Sequence, residues 1–335
     1  MKTFALLPAD MAKTGAAAKA LEAMGYDAAS SAETKHDPFL PCAIAAEHTQ
    51  QIEIATGIAV AFARNPMTLA NLGHDLNAFS KGRFNLGLGT QIAAHVTKRF
   101  SMPWSDPAPR MRELIAALHA IWDCWYDGKP LDFHGRYYTH TLMTPYFVPD
   151  ERQYGRPKVM LAAVGPLMTK VAAEVADGML CHAFTTPRYL AEVTVPAIEQ
   201  TLQANDRDRS KFEIVATLYT VAGDTDEEIE KGLAALRQQV SFYGSTPAYR
   251  GVLELHGWND LQPELNRLSK AGRWDEMAEL ITPEMCETFA LIGTPEQIVE
   301  RQKALFKGRI DRTSLNFSVS DPDRMKALIK ALKAV

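Results

Sequence analysis

The 335-residue chain has few of the groups that would assign its chemistry at once. It has only four cysteines (Cys42, Cys124, Cys181 and Cys286), scattered and with no CxxC pair. Such spacing gives neither a disulfide framework nor a zinc-thiolate site, and the expectation is reduced thiols in a cytosolic protein. The nine histidines form no HxH or HExxH pair, so no metal site is expected. There is no GxSxG for a serine hydrolase. A block of lysine and arginine is also missing, and the net charge is −4, which argues against a nucleic-acid partner. No run of about 18 apolar residues is present to span a membrane. In MKTFALLPAD the apolar stretch is short and broken at Pro8, so no signal peptide is expected. We find no internal repeat and no low-complexity tract.

What is present is an alternation. With 47% hydrophobic residues the chain has material for a large core. Eight apolar runs read as strands: 3–7, 26–31, 52–58, 83–89, 158–164, 178–184, 212–221 and 313–319. Helical patterns lie between them. The clearest runs over 108–127 and carries Met111, Leu114, Ile115, Leu118, Ile121, Trp122 and Trp125 on one face at a 3.6-residue period. Asp321-Pro322 starts a last amphipathic helix. Eight strands alternating with helices predict parallel pairing, right-handed crossovers and an α/β fold of the (β/α)₈ TIM-barrel type. The whole of 1–335 reads as one such domain. Residues 131–145 read as a small hairpin outside the barrel, after the fourth helix. Residues 244–290, beyond the helix that follows strand seven, read as an inserted helical segment forming a lid or side wall.

The stretch SKGRFNLGLGTQ (80–91) places Gly87 and Gly89 where a strand gives way to a helix. A classical dinucleotide fingerprint fails there, because the third glycine position of GxGxxG is Ile92. A second exit, LAAVGPLMTK from residue 161, ends a strand at Ala163-Val164, lets the backbone approach a ligand at Gly165 and starts a helix at Pro166. Free N–H groups and the helix dipole at such a start suit a phosphate. The alternative is a tight turn with no ligand. His36 after strand two, His95 after strand four and His182 at the end of strand six all fall at the C-terminal mouth of a barrel. Catalysis takes place at that mouth in this fold. Each is open to two readings, a ligand contact or a hydrogen-bonded wall residue.

These residues carry a resemblance. TGIAVAFARNPMTLANLGHDLNAFSKGRFNLGLGTQ (56–91), SSAETKHDPF (30–39), FHGRYY (133–138), LAAVGP (161–166) and VADGML (175–180) resemble the bacterial luciferase-like flavin and deazaflavin oxidoreductases, which are (β/α)₈ enzymes. The spacing agrees over essentially the whole chain. GSTPAYRGVLELHGW (244–258) resembles a subgroup dependent on the deazaflavin coenzyme F420.

The resemblance implies hydride transfer between F420 and a small organic substrate. The alternatives are an FMN-dependent monooxygenase of the same fold and a barrel that binds a flavin without turnover. It implies a bulge at Thr56-Gly57-Ile58, often with a non-prolyl cis peptide, behind the tricyclic ring, with Gly57 easing the crowding and Ala59 following. The cofactor's phosphate and side chain would pass Gly89, Thr90, Gln91 and His95, then Ala163, Val164, Gly165 and Pro166, with His182 beside them. Glu33 and His36 are the catalytic candidates, although relatives join the acidic residue directly to the histidine and here Thr34 follows Glu33. Ser245, Thr246 and Tyr249 could face substrate; for the first two an N-cap is the alternative. Arg64, Lys98, Arg99 and Lys170 would line a route for the acidic tail of F420. The resemblance also implies a homodimer.

Overall fold

The computed structural model describes residues 1–334. The barrel strands are β1 (Lys2–Leu6), β2 (Ala28–Ser31), β3 (Glu53–Thr56) with its continuation β4 (Ala59–Val60), β5 (Phe84–Gly89), and, past an antiparallel hairpin of β6 (Phe133–His134) and β7 (Thr139–His140), β8 (Lys158–Ala163) and β9 (Gly178–Cys181). They continue with β10 (Glu213–Val215) and, after β11 (Tyr219–Ala222) and β12 (Ala290–Gly293), end with β13 (Arg312–Thr313). The order β3-β2-β1-β13-β10-β9-β8-β5 returns from β5 to β3, so the sheet closes, and β4 shares one barrel position with β3. Every barrel pairing is parallel. The expected eight-stranded TIM barrel is therefore present.

The helices around it are α1 (Met11–Met24), α2 (Phe39–His48), α3 (Pro66–Phe79), α4 (Pro107–Asp127), α5 (Gly165–Val175), and α6 (Pro187–Tyr189) running through a π turn into α7 (Val195–Ala204). The predicted face of α4 is the buried one: Met111, Leu114, Ile115, Leu118, Ile121, Trp122 and Trp125 are all enclosed. The floor of the barrel is polar. Arg312, at the start of β13, donates to Glu213 and to Glu53, whose other oxygen takes the Lys2 ammonium at 2.8 Å. A buried guanidinium is tolerable here because two carboxylates and their hydrogen bonds meet it.

Two strand readings are corrected. The run 212–221 is two strands, because β10 stays in the barrel whereas β11 leaves it to pair in parallel with β12, a strand that is not among the eight expected runs. The final run 313–319 shrinks to Arg312–Thr313. Beyond it side-chain bonds replace the ladder, as where Asn316 donates to the Leu218 carbonyl at 2.9 Å.

Between β11 and β12 stand α8 (Asp226–Gly244), α9 (Arg250–Leu255), α10 (Leu261–Lys270), α11 (Trp274–Glu279) and α12 (Pro283–Phe289); α13 (Pro295–Phe306) and α14 (Pro322–Lys333) finish the barrel. The inserted helices have their own core, which includes Leu236, Val240, Leu253, Leu265, Met277 and Phe289, and Phe184 and Tyr219 belong to it. No helix among the described residues is long and apolar enough to cross a membrane.

Candidate active site at the barrel mouth

The site begins with a register change. Ala55 pairs with Asn85 and Ala59 with Leu88, so β3–β4 advances four residues while β5 advances three. One extra residue on one strand is a bulge. Thr56 fills the gap in the ladder: its hydroxyl donates to the Gly87 carbonyl at 2.7 Å and accepts the Gly87 amide at 2.9 Å. Only glycine fits at 87, where a Cβ would stand 1.8 Å from the Thr56 carbonyl oxygen. The Gly57–Ile58 peptide is cis. A side chain at Gly57 would point at Ser30, whose Oγ lies 2.2 Å from the Cβ position, so the space there is taken by β2 rather than left for a ring. Ile58 instead lies against Gly89, and Gly89 against Ala162.

Glu33 secures the bulge. Its backbone amide donates to the Ile58 carbonyl at 3.0 Å, and its carboxylate accepts the Val60 amide at 2.7 Å and the Arg64 guanidinium at 2.7 and 3.2 Å. Arg64 reaches Asp37 as well, at 3.0 Å. This buried carboxylate, bonded to three donors, ties the β2 exit to the bulge. Arg64, held by two carboxylates, drops out of the expected basic route. His36 is exposed on the loop beyond.

After β5, Thr90 is half-buried and Gln91 adopts a left-handed φ of 60°. His95 opens a π turn that ends at Arg99 and is exposed, as is Lys98. Arg99 donates to the Thr34 carbonyl, and Lys170 stands 3.9 Å from Glu174.

The β8 exit opens on a pocket. Ala163, Val164, Gly165 and Pro166 line it together with Cys181, His182, Thr185 and, from the insertion, Ala248 and Val252. No side chain caps the start of α5. The buried Thr185 hydroxyl has no hydrogen-bond partner. Helix-start amides without a cap, a dipole and an orphan hydroxyl in one pocket fit an anionic group such as a phosphate. His182 accepts the Phe184 amide on Nδ1 at 3.0 Å, which leaves its proton on Nε2. Burial pushes its pKa down to about 4, so the ring is neutral near pH 7.

The three residues expected to face substrate separate. The Ser245 hydroxyl donates to the Phe242 carbonyl at 2.7 Å and its carbonyl is held by Gln262 and Asn266, so Ser245 closes α8. Thr246 precedes a short 3₁₀ turn without capping it. Tyr249 packs its ring on His182, with centroids 4.9 Å apart, and Tyr243 does so at 4.6 Å. Thr185 lies in no motif, and nothing in the sequence singled it out. Among the described residues no group of His, Cys, Asp and Glu is arranged to hold a metal.

The sequence from residue 5 to 312 matches the family model described as luciferase-like monooxygenase. The chain belongs to that family. An uncharacterized protein of Mycobacterium tuberculosis is 50% identical over 324 residues, which is 97% of this chain and 95% of that one. The 5,10-methylenetetrahydromethanopterin reductase of Archaeoglobus fulgidus is 28% identical over 293 residues, 85% of this chain and 82% of its own. Among solved structures, the coenzyme F420 dependent tetrahydromethanopterin reductase of Methanopyrus kandleri superposes with a TM-score of 0.78 at 22% identity, covering 98% of this chain and 96% of the other. The barrel fold is thus shared over nearly the whole length of the chain.

Proposed function

We propose that this luciferase-like protein is an oxidoreductase that transfers hydride between the deazaflavin coenzyme F420 and a small organic substrate. The observation that carries the reading is the pocket in which the uncapped start of α5 meets the orphan Thr185 hydroxyl, at the same mouth as the β3–β4 bulge. The Methanopyrus kandleri reductase above, named as coenzyme F420 dependent, supports the deazaflavin. When bound, F420 supplies a ring carbon that carries hydride and barely reacts with oxygen.

The chain's own residues bind and orient. The first amides of α5 and the Thr185 hydroxyl hold the phosphate, Ile58 and Gly89 offer an apolar bed, and Glu33 with Thr56 keeps that bed fixed. His182 stays neutral and presents Nε2–H to the pocket. The family description itself favours one second reading, FMN-dependent monooxygenation, since either cofactor brings a tricyclic ring and a phosphate.

Turnover tests the choice. Purified protein given reduced F420 and a panel of carbonyl acceptors is expected to oxidise the coenzyme at equal rates with and without oxygen. Oxygen uptake with reduced FMN and an oxygenated product would replace this reading by the monooxygenase.

A further inference from the structure

We propose that a cavity on the outer wall of the barrel, separate from the mouth, is a binding site for a small zwitterion: an ammonium and a carboxylate carried on one hydrocarbon body, as in an aliphatic amino acid.

The cavity has a topological origin. Each outer helix packs on the next from α1 through α5 to α7, and again from α13 through α14 to α1, but among the described residues no such packing joins α7 to α13. Between these two helices β11 carries the chain out of the barrel to pair with β12. The opening left behind has a volume of about 310 Å³, within the range of small-molecule sites. Leu218, Phe289 and Leu291 line it and are themselves buried, so the inner surface is apolar. Pro187 at the start of α6, and Ala304 and Leu305 of α13, complete the apolar lining. No residue lines both this cavity and the pocket at the β8 exit. The two stand back to back. The Phe289 ring packs on that of Phe184, which lines the other pocket, with centroids 4.7 Å apart.

Charge narrows the choice of ligand. The charged residues that line the cavity are Glu287 and Arg301, of opposite sign, and both are exposed. Among the described residues neither is ion-paired, with the other or with a third group. Arg301 donates through Nη1 to the Ile292 carbonyl at 3.1 Å, and its other nitrogens have no acceptor in the protein. The acidic groups beside it on α13 are engaged elsewhere, Glu296 with Arg324 at 2.8 Å and Glu300 with Lys303 at 3.0 Å. A hydrocarbon alone would cover the apolar lining but strip water from both charges without replacing it. A lone carboxylate would meet Arg301 and be repelled by Glu287, and a lone amine would meet the reverse. A zwitterion answers both charges while its body covers Leu218, Phe289 and Leu291.

The test uses the whole chain at pH 7 and ligand-observed NMR. L-leucine and its straight-chain isomer 6-aminohexanoate carry the two charges at short and long spacing. Glycine lacks the hydrocarbon body, 4-methylpentanoate lacks the ammonium and 3-methylbutylamine lacks the carboxylate. At least one of the two isomers is expected to bind, with each of the three reduced probes about fivefold weaker or more. Arg301→Gln should weaken the tighter isomer by a similar factor of about five. Ala304→Phe sets a ring into the cavity from an exposed position on α13, and it should abolish binding while the thermal unfolding temperature holds. Failure of both isomers to bind overturns the proposal. So does binding that survives unchanged in Ala304→Phe, because the probe then sits elsewhere, or binding of 4-methylpentanoate or 3-methylbutylamine as tight as that of the zwitterion. None of these outcomes depends on which cofactor the mouth takes.

Discussion

The Thr56 side chain takes both backbone groups of Gly87, donating to its carbonyl and accepting from its amide at 2.7 and 2.9 Å. One hydroxyl therefore replaces a rung of the barrel ladder at the point where the chain swings out into the bulge. Thr56→Val keeps the shape and removes the oxygen, so it strands a buried amide and a buried carbonyl. We expect a loss of about 2–6 kcal/mol in urea unfolding, since each of the two stranded groups costs about 1–3 kcal/mol. Thr56→Ser keeps the hydroxyl and should lose clearly less. Equal losses for the two variants would show that the methyl group, and not the two hydrogen bonds, holds the rung.

Glu33 tests the difference between clamping and proton transfer. Its carboxylate is bonded to the Val60 amide and to Arg64. Glu33→Gln keeps an acceptor for one of these donors and loses the ion pair. Weaker cofactor binding is expected together with a pH profile of unchanged shape. A profile that loses one limb while cofactor affinity stays put would restore Glu33 as the acid or base.

The barrel floor sets the acid limit. Burial alone would raise the Glu53 pKa, but Arg312 and Lys2 outweigh it and hold it down to about 2. A carboxyl with its folded pKa depressed contributes stability above its unfolded pKa of about 4.3 and loses it as pH falls toward the folded value. Stability should therefore drop between about pH 4.5 and 2, and Glu53→Gln should flatten that part of the curve. Circular dichroism melts across the range would measure it, and an unchanged slope in the variant would exclude Glu53 as the source.

Much of this architecture is legible in the sequence because parallel strands are buried on both faces and read as apolar runs. The turn of α4 toward the core is equally plain, from Met111 to Trp125. What fails is whatever depends on a distant partner. FEIVATLYTV reads as one strand because its break at 216–218 carries no glycine, proline or charge, and the partner of β11 lies at Ala290–Gly293. Ser245 looks available until Phe242 is placed three residues behind it, where a helical serine bonds back to a carbonyl. Nothing beside Glu33 in the sequence shows that the Val60 amide and Arg64, 27 and 31 residues on, converge on its carboxylate. The two glycine exits were visible as backbone features, whereas Thr185 matters only because its hydroxyl is left without a partner, which no motif records.

The most direct measurement is a titration of cofactor-free protein with F420 and with FMN, following ring fluorescence across a salt series. The account predicts that F420 binds the more tightly. Its affinity should fall with salt and with Lys98→Ala if the acidic tail leaves past that exposed lysine beyond β5. Tight FMN binding with no measurable binding of F420 would contradict it.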